Sequence, residues 1–295
     1  MQYSGEVLSF ISAILWGFAI VLFKKSGETI HPIALNLFKD FMAFILFIPT
    51  MIIFGVPFIN KAPIAHFLIF FLSGIVGITV GDTLFFGSLN LLGASLAGIV
   101  YCLYSPFVVG LSVIVLGERL SALQGFGIFL IILAVFIVTY KKGRAQVSKR
   151  KTILGILFGI LANLAFAIGI VIIKPLLGNY PVLWSTEVRL FGGIIGLLLI
   201  LVVHPSRRLI ISSLHTSKES WKYTLGGSFF GAYLSMLTWL SGMKYTLASI
   251  ASALNQTNTV FVFLFAILIL KEPFNRKRAI SVVLAVAGAL LVSLG

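Results

Sequence analysis

The sequence predicts an all-α polytopic membrane protein, with ten transmembrane helices arranged as two inverted repeats of five. Three observations predict it. Of 295 residues, 59% are hydrophobic and 10% charged, with a mean hydropathy of +1.12, which is too apolar for a soluble chain of this length. Ten apolar spans follow one another, most of them within the ~17 to 25 residues needed to cross ~30 Å of hydrocarbon. The second half also repeats the first: Ala94-Ser95-Leu96-Ala97-Gly98 and Glu118 return 154 residues later as Ala248-Ser249-Ile250-Ala251-Ser252 and Glu272. Five helices is an odd number, so the second copy enters the membrane in the opposite sense.

Repeat 1 occupies residues 1–140, a basic linker 141–152, and repeat 2 residues 153–295. The first span, 7–23, carries Trp16-Gly17 and closes on Lys24-Lys25; its mate, 153–173, carries Phe166 and closes on Lys174, an offset of 150. It has neither a basic n-region nor a small-residue cleavage site, so it is expected to be a retained helix. The second spans, 32–54 and 182–203, open after His31-Pro32 and Tyr180-Pro181, and proline suits a first turn whose N–H would be unsatisfied anyway. Each carries a cation about two turns in, Lys39 or Arg189, with Asp40 and Glu187 nearby. That depth is roughly 10 Å along the axis and favours an ion-paired or cavity-facing position over snorkelling.

The third spans, 64–87 and 221–243, contain the G-x-x-x-G steps Gly77/Gly81 and Gly227/Gly231, read as packing residues. Asp82 stands out as an acid near the end of a span. The fourth spans, 96–116 and 247–270, differ from the others in polarity. The first holds Tyr101, Tyr104, Ser105 and Pro106, the second Asn255, Gln256, Thr257, Asn258 and Thr259. Unpaired amides and hydroxyls are costly in hydrocarbon, so such runs face a protein interior or a wet cavity. Pro106 removes a backbone bond and bends its helix. The final spans, 122–140 and 279–294, follow Gly117-Glu118-Arg119 and Lys271-Glu272-Pro273, whose carboxylates are expected to bond the N–H groups opening the next helix.

The net charge of +14 does not indicate nucleic acid. Sixteen Lys and Arg residues fall in or beside the odd-numbered loops and four in the even-numbered ones, Lys61, Arg119, Lys174 and Lys244. By the positive-inside rule the odd loops are cytoplasmic and both termini outside. The linker Lys141–Thr152 is a solvated basic segment facing anionic lipid. Cys102, the single cysteine, excludes an internal disulfide and reads as a small buried hydrophobe. His31, His66, His204 and His215 are scattered, and no nucleophile elbow, Walker loop or zinc motif occurs, so neither an enzyme nor a cofactor or metal site is expected. The longest loop, 204–220, has 17 residues and leaves no room for an extramembrane domain, so a monomer is the default.

Two copies of five helices, Ile14-Leu15-Trp16-Gly17, one basic residue in the second helix of each copy, and Gly117-Glu118-Arg119-Leu120 together resemble the EamA-type members of the drug/metabolite transporter superfamily. Repeat 2 departs from that pattern, with Lys271-Glu272-Pro273-Phe274 for the Gly-Glu-Arg-Leu and Ala165-Phe166-Ala167 for the Trp-Gly. The resemblance implies export of small metabolites, amino acids or their analogues, through a central cavity, from the plasma membrane of a prokaryote. Inverted repeats agree with alternating access around a midplane site. The expected wall is formed by helices 1, 3, 4, 6, 8 and 9. Trp16, Tyr101, Tyr104, Tyr233 and Trp239 offer aromatic surface, Ser105, Asn255, Gln256 and Asn258 polar groups, and Lys39 or Arg189 a carboxylate partner. Asp82 and Glu187 are the candidates for carrying a coupling proton. The alternatives are a non-transporting membrane adaptor or a carrier of cationic drugs or phosphorylated sugars.

Overall fold

A computed structural model describes residues 4–58, 61–116, 120–139, 149–215, 218–246, 251 and 254–294. Every regular element among them is helical. We label the rods α1 (Ser4–Ser26), α2 (Pro32–Ile53), α3 (Ile64–Leu92), α4 (Ala94–Tyr101 and Tyr104–Leu116), α5 (Ala122–Thr139), α6 (Lys149–Leu177), α7 (Val182–Val203), α8 (Lys218–Gly227, Ser228–Ser235 and Met236–Tyr245), α9 (Leu254–Leu270) and α10 (Arg276–Leu294). A short helix, Arg207–Ser212, lies between α7 and α8. Among the described residues six helices are long and apolar enough to cross a membrane: α1, α2, α3, α6 from Arg150, α7, and α4 as far as Val115.

The rod ends follow from local chemistry. Pro32 occupies the first turn of α2, and the His31 side chain accepts from the Ile33 N–H at 3.3 Å. Gly93, at φ 82°, turns the chain from α3 into α4. α6 begins at Lys149, inside the predicted linker, because Lys149-Arg150-Lys151 extends the helix beyond its apolar part. Glu118 and most of the linker lie outside the described residues. Glu272 corrects the expectation for its carboxylate. It accepts from the Ala94 N–H at 3.0 Å and the Ser95 hydroxyl at 2.6 Å, and Arg278 donates to it at 2.9 Å. The capped helix is thus α4 of the other copy, whose own N-cap, Gly93, has no side chain to offer.

The end contacts fix the direction of each rod. The C-terminal end of α1 touches the N-terminal end of α8 through Ser26–Thr224 (2.6 Å), and Thr246, just beyond α8, donates to Glu6 at the start of α1 (2.8 Å). So α1 runs antiparallel to α8. Lys24, near the end of α1, reaches the Asn90 carbonyl near the end of α3 at 3.4 Å, so α1 and α3 are parallel. Since α8 is the repeat of α3, the two copies are inverted. The neighbours agree: α1 packs on α8 and α9, α6 on α3 and α4, α2 on α7, and α5 on α10. Exchanging the copies leaves this set unchanged, as a pseudo-two-fold axis requires.

Loop contacts sort the rod ends onto two faces. Thr29 meets Ser220 at 2.7 Å and the His31 N–H meets Ser213 at 3.1 Å, which joins the first and seventh loops on one face. His66 meets the Tyr180 hydroxyl at 2.6 Å, on the opposite face with the second and sixth loops. The predicted packing glycines meet side chains: a Cβ on Gly81 would strike the Phe166 ring at 2.7 Å and one on Gly227 the Phe23 ring at 2.8 Å. The closest backbone crossing is made instead by Gly74 and Gly192, where a Cβ would run into the Arg189 and Phe71 carbonyl oxygens.

Candidate functional site

Two features depart from regular helix, and each occurs in both copies. α3 widens into a π-helical stretch at Ile75–Asp82 and α8 at Ser228–Ser235, and such stretches cluster at functional sites. α4 breaks at Cys102–Leu103, where Pro106 cannot donate to the Cys102 carbonyl. α9 is interrupted one residue before Asn258, at Thr257, within its polar run. These four irregular segments surround one cavity of about 660 Å³, counting its open mouth.

Its wall comprises Ser12 and Trp16 of α1, Lys39 of α2, Gly77, Ile78 and Asp82 of α3, Tyr101 and Tyr104 of α4, and Phe166 of α6. Arg189 of α7, Gly231, Ala232, Ser235, Met236 and Trp239 of α8, and Asn255 of α9 complete it. Eight helices contribute, the six expected plus α2 and α7. Most of the wall is paired by the repeat. Trp16 and Lys39 have their mates 150 residues on, Phe166 and Arg189; Gly77, Ile78, Asp82 and Tyr101 have theirs 154 on, Gly231, Ala232, Met236 and Asn255. The cavity therefore lies on the pseudo-two-fold axis.

The pairing is chemically unequal. Lys39 donates to Asp40 at 2.5 Å and to Asp82 at 2.7 Å, so it is an ion-paired buried cation and not a snorkelling one. Arg189 has no ion pair among the described residues, and its Nε and Nη1 are buried without a hydrogen-bond partner. The Tyr104 hydroxyl, the Trp239 Nε1 and the Asn255 Oδ1 are unpartnered too, all on the wall. Native interiors leave few such groups, each costing ~1–3 kcal/mol. A cluster of them around a void marks a place for a polar guest. The Tyr101 and Tyr104 rings stack at 6.0 Å, and Tyr101 meets Phe166 edge-on at the same distance.

The chain matches the EamA-like transporter family twice, over residues 3–140 and 153–294. It belongs to that family. Similar proteins include an uncharacterized transporter of Archaeoglobus fulgidus, 22% identical over 98% of this chain and 97% of its own length. Another, from Methanothermobacter thermautotrophicus, is 22% identical over 98% of this chain and 85% of its own. A solved crystal structure, 18% identical, shares the fold at a TM-score of 0.74 over 100% of this chain and 98% of that one. This member of the EamA-like family is thus an integral membrane protein and a transporter.

Of the residues singled out in the sequence, Trp16, Lys39, Asp82, Tyr101, Tyr104, Arg189, Trp239 and Asn255 meet at the cavity. Tyr233 turns away, because the lining face of α8 runs through 231, 232, 235, 236 and 239; its hydroxyl bonds Thr50 at 2.6 Å instead. Ser105, Gln256 and Asn258 are buried but off the wall. Glu187 is also off it, with neither oxygen bonded and no pairing to Lys39 or Arg189. Ser12, Gly77, Ile78, Phe166, Gly231, Ala232, Ser235 and Met236 are additions to the wall. Phe166, Ala232 and Met236 carry a signal that reaches them: each is the repeat mate of a lining residue.

Proposed function

We propose that this transporter moves small zwitterionic metabolites, amino acids or their close relatives, by alternating access, and that its net direction is export. One observation carries the reading: a cavity between inverted repeats holds an Arg189 fork with free donors and, on a different helix, the Asp82 carboxylate. A planar guanidinium takes a carboxylate in two parallel hydrogen bonds. The ammonium of the same ligand would lie toward Asp82 and the Tyr104 hydroxyl, and its side chain against the aromatic rings. Binding at the axis suits alternating access, since rocking one copy against the other opens the same site to either side. Phosphorylated sugars fit less well, because Lys39 is committed to two carboxylates and, among the described residues, one free cation remains on the wall.

The test is mass spectrometry of the medium around cells loaded with mixed amino acids and dipeptides. Cells expressing the wild type should release one solute class that cells with the Arg189→Ala, Asn255→Ala double variant retain. Equal release of every solute by both would sink the amino-acid reading.

A further inference from the structure

Four formally charged side chains meet at the cavity, and they cancel. Lys39 and Arg189 bring two positive charges; Asp82 on the wall and Asp40 directly behind Lys39 bring two negative ones. All are buried, with exposures of 1% for Lys39, 0% for Asp40, 6% for Asp82 and 5% for Arg189. The cancellation is not local. The repeat mates of Asp40 and Asp82 are Leu190 and Met236, so both acids belong to the first copy and the bare guanidinium to the second. Without Lys39 the set would carry one negative charge in excess. Glu187 stands off the wall and is no part of it.

Resting on the transporter reading above, we propose that Lys39 is the residue that lets the unloaded carrier return. Between its two open forms an alternating-access protein passes through a closed one, in which the cavity loses water. Uncompensated charge is costly there, and an excess of one slows or abolishes closure by about a hundredfold or more. A lysine within bonding distance of both acids supplies, from the protein itself, the cation that a coupling ion or a positively charged ligand would otherwise have to bring. The empty cavity can then close, and the carrier performs net flux of a solute without net charge instead of obligatory exchange. The same neutrality sets what the loaded form accepts: a zwitterion leaves the sum at zero, whereas a monocation or monoanion does not.

The experiment needs no knowledge of the solute. Spin-label pairs at Glu28→Cys with Phe274→Cys on one face, and at Lys61→Cys with Tyr245→Cys on the other, report opening of each side in ligand-free liposomes. All four sites are exposed, and the background is Cys102→Ala. The wild type should populate two distances at each pair. Lys39→Met should collapse each pair to one distance, and Asp82→Asn, with an excess of opposite sign, should do the same. Lys39→Met, Asp82→Asn restores a sum of zero and should recover both distances. That recovery distinguishes charge balance from damage, because a misfolded single variant gains nothing from a second substitution. A wild type held in one state and freed only on acidification would overturn the proposal in favour of a coupling proton. So would a Lys39→Met variant that behaves as the wild type, or a double variant that stays locked. Failure of the metabolite reading shows separately, as two-state distances alongside no released solute.

Discussion

Lys39 and Arg189 stand 150 residues apart at the same place in α2 and α7, yet one is held by two carboxylates and the other by none. Arg189 is the group whose geometry, and not only whose charge, the site uses. Arg189→Lys keeps the charge and loses the fork, and initial transport should fall about tenfold with the fold intact; rates and melting temperatures measured together decide it. His31, outside the membrane spans, makes a different prediction. Partial burial of the ring, and after it the His204 imidazole, hold its pKa below the ordinary 6.5. The folded protein therefore favours the neutral ring, whose Nδ1 accepts the Ile33 N–H. A depressed histidine contributes stability that is intact above the unfolded value and is lost as pH falls through the folded one. Melting temperature should drop on acidification below about pH 6, and less steeply for His31→Asn, which keeps an acceptor at the cap and does not titrate. An unchanged slope in the variant would move the effect elsewhere. The two membrane cations were legible at this scale because charge is rare in an apolar span. What each one touches was only half so: Asp40 is the next residue on α2, but Asp82 reaches Lys39 through the packing of α2 on α3.

At the scale of elements, the irregular segments are the ones that build the cavity, and close crossings hold them. Gly192 faces the Phe71 carbonyl so closely that a Cβ has no room, and backbone cannot move aside as a side chain can. Gly192→Ala should cost ~1–3 kcal/mol. Gly110→Ala, with nothing within 4 Å of the added carbon, should be neutral or slightly stabilising. Thermal unfolding in detergent compares the two, and equal losses would refute the assignment of the α3–α7 crossing. The Glu272 cap gives a second comparison. Glu272→Ala leaves the Ala94 N–H and Ser95 hydroxyl without their partner, an expected loss of ~1–2 kcal/mol, and Glu272→Gln should recover part of it. The break in α4 follows from Pro106 and was readable. The π-helical stretches carry no proline, and glycine alone does not mark them, since Gly occurs in regular helix here too; both pack against the opposite copy, which periodicity along one chain does not report. G-x-x-x-G spacing likewise pointed to Gly77, Gly81, Gly227 and Gly231, which meet side chains, while Gly74, outside any such step, and Gly192, which begins one with Gly196, make the backbone contact.

At the scale of the whole molecule, the repeat was the most legible feature, because two copies of one fold keep matching residues at matching offsets. The offset rule extends into the site, where Trp16 with Phe166 and Ile78 with Ala232 line the same cavity. Inversion has a further consequence. A body that is nearly its own upside-down image has little in its packing to choose between the two insertions, so the choice falls to loop charge. The structure places the first and seventh loops on one face and the second and sixth on the other, and sixteen of the twenty loop cations belong to the odd-numbered set. Six of those sixteen are Lys141, Lys142, Arg144, Lys149, Arg150 and Lys151 between the copies. In the wild type a cysteine at Lys61 should react with a membrane-impermeant thiol reagent added outside, and one at Arg207 only after permeabilisation. Replacing the six with glutamine narrows the excess to ten against four and removes about 1 kcal/mol of surface attraction for each charge. Molecules should then insert in both senses, with each reporter partly labelled from outside. One-sided labelling that survives the replacement would show that orientation resides in the helices and not in the loops.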